Sequence, residues 1–107
     1  MPQKVLSVTE VNNHIRSILD RDTVLAGVAV QGEISNYKVY PSGHHYFTLK
    51  DDGAALKCVM FKSSAIRLRF RPDNGMKVIA VGKISVYPRD GAYQLYCTAM
   101  EMDGVGA

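Results

Sequence analysis

Much that would mark an enzyme or a membrane protein is missing from this sequence. Only two cysteines, Cys58 and Cys97, occur in 107 residues. They lack the CxxC spacing of a redox or metal site, and each lies in an apolar stretch where a thiol acts as a small hydrophobe. No run of 18 apolar residues exists to make a transmembrane helix. The start, "MPQKVLSVTEV", has neither the apolar core nor the cleavage site of a signal peptide. A cytoplasmic protein with no membrane contact is the expectation. No GxGxxG, P-loop or Ser-His-Asp spacing occurs, so no catalytic residue, metal ligand or cofactor site is assigned.

Acid is scarce in one half. From Lys57 to Arg89 eight basic residues (Lys57, Lys62, Arg67, Arg69, Arg71, Lys77, Lys83, Arg89) face Asp73 alone. That segment carries +7 in a chain whose total is +3, so the remainder carries −4. A half so basic points to a polyanionic partner, with a solvated basic face as the plainer alternative.

What is present reads as one small domain. Ser7-x-x-Glu10 is a capping box, and Val8, Val11, Ile15, Ile18 and Leu19 follow at helical spacing. This predicts a helical extension over 1–22, its apolar stripe packed on the rest. From residue 28 the period becomes two. Val28, Val30 and Ile34 face one side of a first strand and Gln31, Glu33 and Ser35 the other, with Gly32 marking a bend. "NYKVYPSG" reads as a loop. "HHYFTLK" and "ALKCVMF" flank an Asp-Gly turn, a hairpin signal. "SSAIRLRFRPDNG" reads as a short helix capped by Ser63 or Ser64 and closed by Pro72 and Gly75. "MKVIAVGKISVY", bent at Gly82, and "YQLYCTAMEM" flank the turn "PRDGA". The predicted class is all-β with short helices. Five strands and a helix between the third and fourth match the OB-fold, a partly open Greek-key barrel that binds oligonucleotides. The barrel spans 23–103, and 104–107 reads as the start of a linker.

The stretch "SGHHYFTLKDDGAALKCVMFK" gathers histidines, aspartates and a cysteine, but strand alternation disperses them. His45, Phe47 and Leu49 share one face while His44, Tyr46, Thr48 and Lys50 share the other. The two histidines diverge and cannot share a metal. Leu56, Cys58 and Met60 form the inner row of the next strand, and Lys57, Val59 and Phe61 the outer one. Asp51 and Asp52 occupy a turn that aspartate favours, where paired carboxylates have no pocket for acid–base work.

The outer rows suit a different task. Aromatic rings interleaved with lysines offer stacking platforms for bases and cations for phosphates. The candidate nucleic-acid-binding residues are His44, Tyr46, Thr48, Lys50, Lys57, Phe61 and Lys62, with Lys83, Tyr87 and Arg89 from the fourth strand and its turn. Tyr37 and Lys38 join them from the first loop. Tyr93 and Tyr96 repeat the pattern or simply pack. The alternative is that Val59 and Phe61 are covered by a helix or another domain.

Several stretches resemble a known family. "LSVTEVNNHIRSIL", "GEISNYK", "SGHHYFTLKD", "VMFK", "GMKVIAVGKISVY" and "YQLY…MEMDGVGA" look like the N-terminal domain of exodeoxyribonuclease VII large subunits, in order over nearly the whole chain. Position 45 varies in that family, so His45 carries no family role. The resemblance implies a subunit that joins several small subunits to hydrolyse single-stranded DNA from both ends to oligonucleotides. It places the catalytic residues beyond residue 107, and leaves this stretch the task of gripping DNA. Two rivals remain: an RNA-reading OB domain, and a protein-docking barrel that holds the catalytic region or the small subunit.

Overall fold

The computed structural model describes residues 3–104. Of the expected linker only Gly104 falls within that range; residues 105–107, like residues 1 and 2, lie outside the described residues.

Helix α1 spans Val8–Arg21. Its capping box forms as read: the Glu10 N–H donates to Ser7 Oγ and the Ser7 N–H to Glu10 Oε1, each at 3.0 Å. Asp22 ends the helix, and its Oδ1 accepts from the amides of Val24 and Leu25, both at 2.9 Å. That turn leads into strand β1, Val28–Val39.

β1 is followed by β2 (His45–Lys50), β3 (Ala55–Met60), the short helix α2 (Lys62–Ala65), β4 (Lys77–Tyr87) and β5 (Ala92–Met102). The strands close into a barrel in the order β1-β2-β3-β5-β4, with β4 returning to β1. The OB-fold expectation holds, and where a partly open barrel was expected the ring is complete. Its closing seam is narrow. The parallel pairing of β3 with β5 consists of Cys58 opposite Leu95 and Val59 opposite Tyr96.

The inward rows are the ones alternation selects: Ile34, Phe47, Leu49, Cys58, Met60, Val78, Ala80, Leu95 and Cys97 are all buried in one cluster. Burying such side chains yields ~1.5–3 kcal/mol each for the large ones. Gly82 sits where the β4–β5 register shifts. A Cβ there would collide with the Tyr96 backbone carbonyl, so the close crossing of these strands requires glycine.

Three expectations differ from the structure. β1 does not end before "NYKV" but runs through it to Val39, passing a register shift between Ser35 and Lys38 where Asn36 adopts φ 52°. Asparagine tolerates this left-handed conformation better than most residues, so the strand bends instead of stopping. The second helix stops at Ala65, and its N-cap is Phe61 with no side-chain cap, not a serine. Beyond it Leu68 and Phe70 pack against the core. That alternation has a period of two, which a helix cannot satisfy. Finally, the α1 stripe is only partly used. Leu19 packs against the core, while Val8, Val11, Ile15 and Ile18 stay 41–79% exposed. Polar contacts also hold the helix to the barrel, Asp20 with Ser85 at 2.6 Å and Asn12 with the Pro88 carbonyl at 2.8 Å.

Candidate nucleic-acid interface

Pleating that buries Phe47 and Cys58 turns Tyr46 and Lys57 outward, and the strand register then connects one residue from each strand. Lys38 stands opposite Tyr46, Tyr46 opposite Val59, Val59 opposite Tyr96, and Tyr96 opposite Lys83. The result is a lysine–tyrosine–valine–tyrosine–lysine row across all five strands. At ~4.8 Å per strand step it runs roughly 19 Å along the curved sheet.

Val59 is 2% exposed yet stands apart from the interior cluster. It lies on the outer face, between the two tyrosines with which it is in register. The outer-row placement of Val59 holds, and of the two residues that the alternative reading had covered, Val59 is buried and Phe61 is not. Around Val59 stand Tyr40 and Tyr46, with ring centroids 4.7 Å apart. His44 meets Phe61 edge-on at 5.2 Å, and Phe61 lies 6.1 Å from Tyr96. Tyr40, Tyr46 and Phe61 are exposed, and His44 and Tyr96 are half-buried.

His44 precedes β2 instead of belonging to it. Its Nδ1 accepts the Lys62 backbone N–H at 2.9 Å. An acceptor at Nδ1 places the proton of the neutral ring on Nε2, so the other nitrogen is a donor. Gly43, at φ +88°, lies against the aliphatic stem of Lys62. The loop thus fixes the histidine, the lysine and Phe61 relative to one another.

Thr48 pairs with Lys57 in the neighbouring row, and Lys57 is exposed. Lys50 is also exposed but forms an ion pair with Glu33 at 3.6 Å, so part of its charge is already answered. Tyr87 and Arg89 are exposed at the β4–β5 turn, four and six positions beyond Lys83. They stand off from the ring cluster, at the turn that Asn12 of α1 holds.

Tyr37 goes elsewhere. As part of β1 instead of a loop it alternates with Lys38 and points inward, stacking on Phe47 at 5.1 Å. Its hydroxyl bonds His45 Nδ1 at 2.5 Å, and its amide donates to Asn74 Oδ1 at 3.0 Å. Burial, with Cys97 adding to it, raises the Tyr37 pKa, and burial lowers that of His45. The pair belongs to the rim of the core.

Of two further members of the face, Tyr40 is absent from the sequence-based set and Tyr96 stands there between the aromatic pattern and packing. Tyr96 carried a usable signal, since it alternates with Leu95 and Cys97 and so faces outward. Its partnership with Lys83 is a matter of register, which alternation alone does not supply. Tyr40 comes to the face through the turn in which its N–H donates to the His44 carbonyl at 3.0 Å.

The catalytic-looking residues have other employment. Asp51 Oδ1 accepts from the amides of Gly53 and Ala54, both at 2.9 Å. Burial pushes the Cys58 thiol up to about 12, with Cys97 adding to it, and burial pushes Cys97 up to about 11. Neither presents a thiolate. Among the described residues no three His, Cys, Asp or Glu side chains are placed to hold a metal ion, and no helix is long and apolar enough to cross a membrane.

A small closed barrel with an aromatic and basic face of this kind defines a nucleic-acid-binding OB domain. The model of the OB-fold nucleic acid binding domain family matches residues 6–101, and the chain belongs to that family. Within it, the chain is 55% identical over 104 residues to the exodeoxyribonuclease 7 large subunit of Ruminiclostridium cellulolyticum, covering 97% of this chain and 26% of that protein. The protein of the same name from Clostridium acetobutylicum is 54% identical over 103 residues, covering 96% and 26%. The chain thus spans about a quarter of the length of these curated relatives. Among solved structures, the S. pombe Stn1–Ten1 complex matches with a TM-score of 0.59 at 21% identity, over 71% of this chain and 57% of that one. Asparaginyl-tRNA synthetase from Pyrococcus horikoshii with asparaginyl-adenylate gives 0.60 at 16% identity, over 96% and 23%. These two similarities establish the fold.

Proposed function

We propose that this chain is the single-stranded-DNA-binding domain of an exodeoxyribonuclease VII large subunit. The observation that carries the DNA-gripping role is the row Lys38–Tyr46–Val59–Tyr96–Lys83, which sets two stacking rings between two cations. Bases stack on the rings, and the lysines at the ends meet the phosphates. Thr48, Lys57, His44, Phe61 and Lys62 extend that platform, and Tyr87 and Arg89 meet the strand where it passes the β4–β5 turn. The names of the relatives supply the enzyme. Hydrolysis of single-stranded DNA from both ends, and assembly with small subunits in the cytoplasm, are functions of the full-length protein. The domain asks for no cofactor of its own, since its work is to hold the strand.

Of the rival readings, docking through Val59 and Phe61 is weakened by the burial of Val59, which removes one of its two contact residues from the surface. RNA reading uses the same rings and differs by contacts to the 2′-hydroxyl. The test is fluorescence anisotropy of a labelled ~20-nucleotide single strand over a series of salt concentrations, with duplex DNA and RNA of equal length as competitors. Salt-sensitive binding displaced best by single-stranded DNA supports the reading. Preferential displacement by RNA gives the face to the RNA rival, and an absence of binding at low salt rejects both.

A further inference from the structure

The basic half of the sequence contains three arginines that the aromatic face does not use: Arg67, Arg69 and Arg71. A helix through "AIRLRFRP" would scatter them, since alternate residues in a helix stand ~200° apart. Because α2 ends at Ala65, the segment instead alternates. Leu68 and Phe70 pack against the core, and Arg67, Arg69 and Arg71 are all exposed. Two half-buried anchors therefore leave three guanidinium groups in solvent, Arg67 and Arg69 on one cleft and Arg71 on the next.

None of the three is occupied. The ion pairs among the described residues are Arg16 with Asp20 and Lys50 with Glu33. Glu101 borders the cleft shared by Arg67 and Arg69, and Asp73 the one beside Arg71, without either forming an ion pair with an arginine. The strip also begins at the aromatic face. Lys62, whose amide holds His44 and whose stem lies on Gly43, is the first residue of α2. From there the chain leads through Arg67 and Arg69 to Arg71, which lines the cleft with Tyr37, His45 and Asn74.

We infer that Lys62, Arg67, Arg69 and Arg71 form a phosphate track, a second part of the nucleic-acid site that carries the backbone of a single strand after its bases leave the ring platform. The inference rests on the DNA-binding reading above. It contains no aromatic residue on its exposed side, so it binds backbone without stacking, and its contribution is wholly electrostatic. Arginine suits this because its planar fork pairs with phosphate through two hydrogen bonds. A strand short enough to be held by the rings alone does not feel the track, whereas a longer one does.

Length dependence is therefore the test. Arg67→Gln/Arg69→Gln/Arg71→Gln would be compared with the unaltered chain by anisotropy on ~6- and ~20-nucleotide single strands across a salt series, with thermal melts to confirm folding. The triple variant is expected to bind the short strand within about twofold of the unaltered chain. The long strand should bind about tenfold more weakly at low salt, with a salt slope lower by ~2, three contacts at ~0.7 each. Arg69→Gln alone, the mildest change, should lower the slope by ~0.7 on the long strand only, and it carries the test if the triple variant does not fold. An equal loss at both lengths, or none at either, overturns the track while leaving the ring platform in place. Failure of the unaltered chain to bind either strand overturns the DNA-binding reading and the track together.

Discussion

Val59 of β3 stands opposite Tyr96 of β5, and this is one of the two residue pairs that close the barrel. The place where the ring of strands is completed is thus also the middle of the outer aromatic row. Tyr96 serves the seam through its backbone, and its half-buried ring lies 6.1 Å from that of Phe61 on the same face. Tyr96→Ala is expected to weaken single-strand binding by ~1–3 kcal/mol, the usual worth of one base–ring stack, with no change in salt slope. Tyr96→Phe should retain most of the affinity. Anisotropy on the folded variants decides this; full affinity in Tyr96→Ala would remove the ring from the site.

Gly82 lies beneath the same residue. Any side chain there meets the Tyr96 carbonyl, so β4 and β5 would have to separate at the bulge that lets them cross closely. Gly82→Ala is expected to cost about 2–3 kcal/mol, the upper part of the range for overpacking. Urea denaturation would measure it, and a cost under ~0.5 kcal/mol, the ordinary range for an inconsequential surface change, would mean that the crossing has slack.

These two sites also mark the limits of what the sequence discloses. Alternation disclosed the inner rows, and Gly82 announced a bend, because side-chain direction and glycine tolerance are local properties. The misread segments were those in which a local signal had two meanings. Asn36 looks like a loop residue and is a bend within β1. "RLRFR" carries good helix formers, but Leu68 and Phe70 are claimed by the core at a period of two. The candidate face was legible on β2 and β3, whose hairpin register follows from one turn. Lys38 opposite Tyr46, and Lys83 opposite Tyr96, depend on which strands become neighbours, and nothing local encodes that.

His45 gives the fold a pH dependence. The Tyr37 hydroxyl and His45 Nδ1 share a hydrogen bond at the rim of the core, and burial holds the His45 pKa below its ordinary value. Since the unfolded chain then takes up a proton at higher pH than the folded one, stability is fully present above ~6.5 and declines as pH falls through the lower folded pKa. His45→Gln keeps an acceptor and removes the proton. Its urea midpoint should fall less between pH 7.5 and 5 than that of the unaltered chain. Parallel pH profiles would assign the dependence to another group.

The lysines of the face differ in what they are free to do. Lys83 ends the aromatic row, is exposed and forms no ion pair among the described residues. Lys50 is equally exposed but is paired with Glu33 at 3.6 Å. A phosphate at Lys83 displaces only condensed counterions, whereas one at Lys50 must also compete with a carboxylate that remains nearby. Counterion release should therefore register in full at the first site and in part at the second. Lys83→Gln is expected to lower the single-strand salt slope by ~0.7, and Lys50→Gln by clearly less. Glu33→Gln supplies the complementary case: freeing Lys50 should raise affinity and steepen the slope, provided the weakly paired surface charge contributes under ~1 kcal/mol to stability. Equal slope changes for Lys83→Gln and Lys50→Gln would mean that the ion pair exerts no hold on Lys50. A fall in affinity on Glu33→Gln would place the strand's path away from Lys50 altogether, leaving Lys38, Lys57 and Lys83 as the cations that flank the rings.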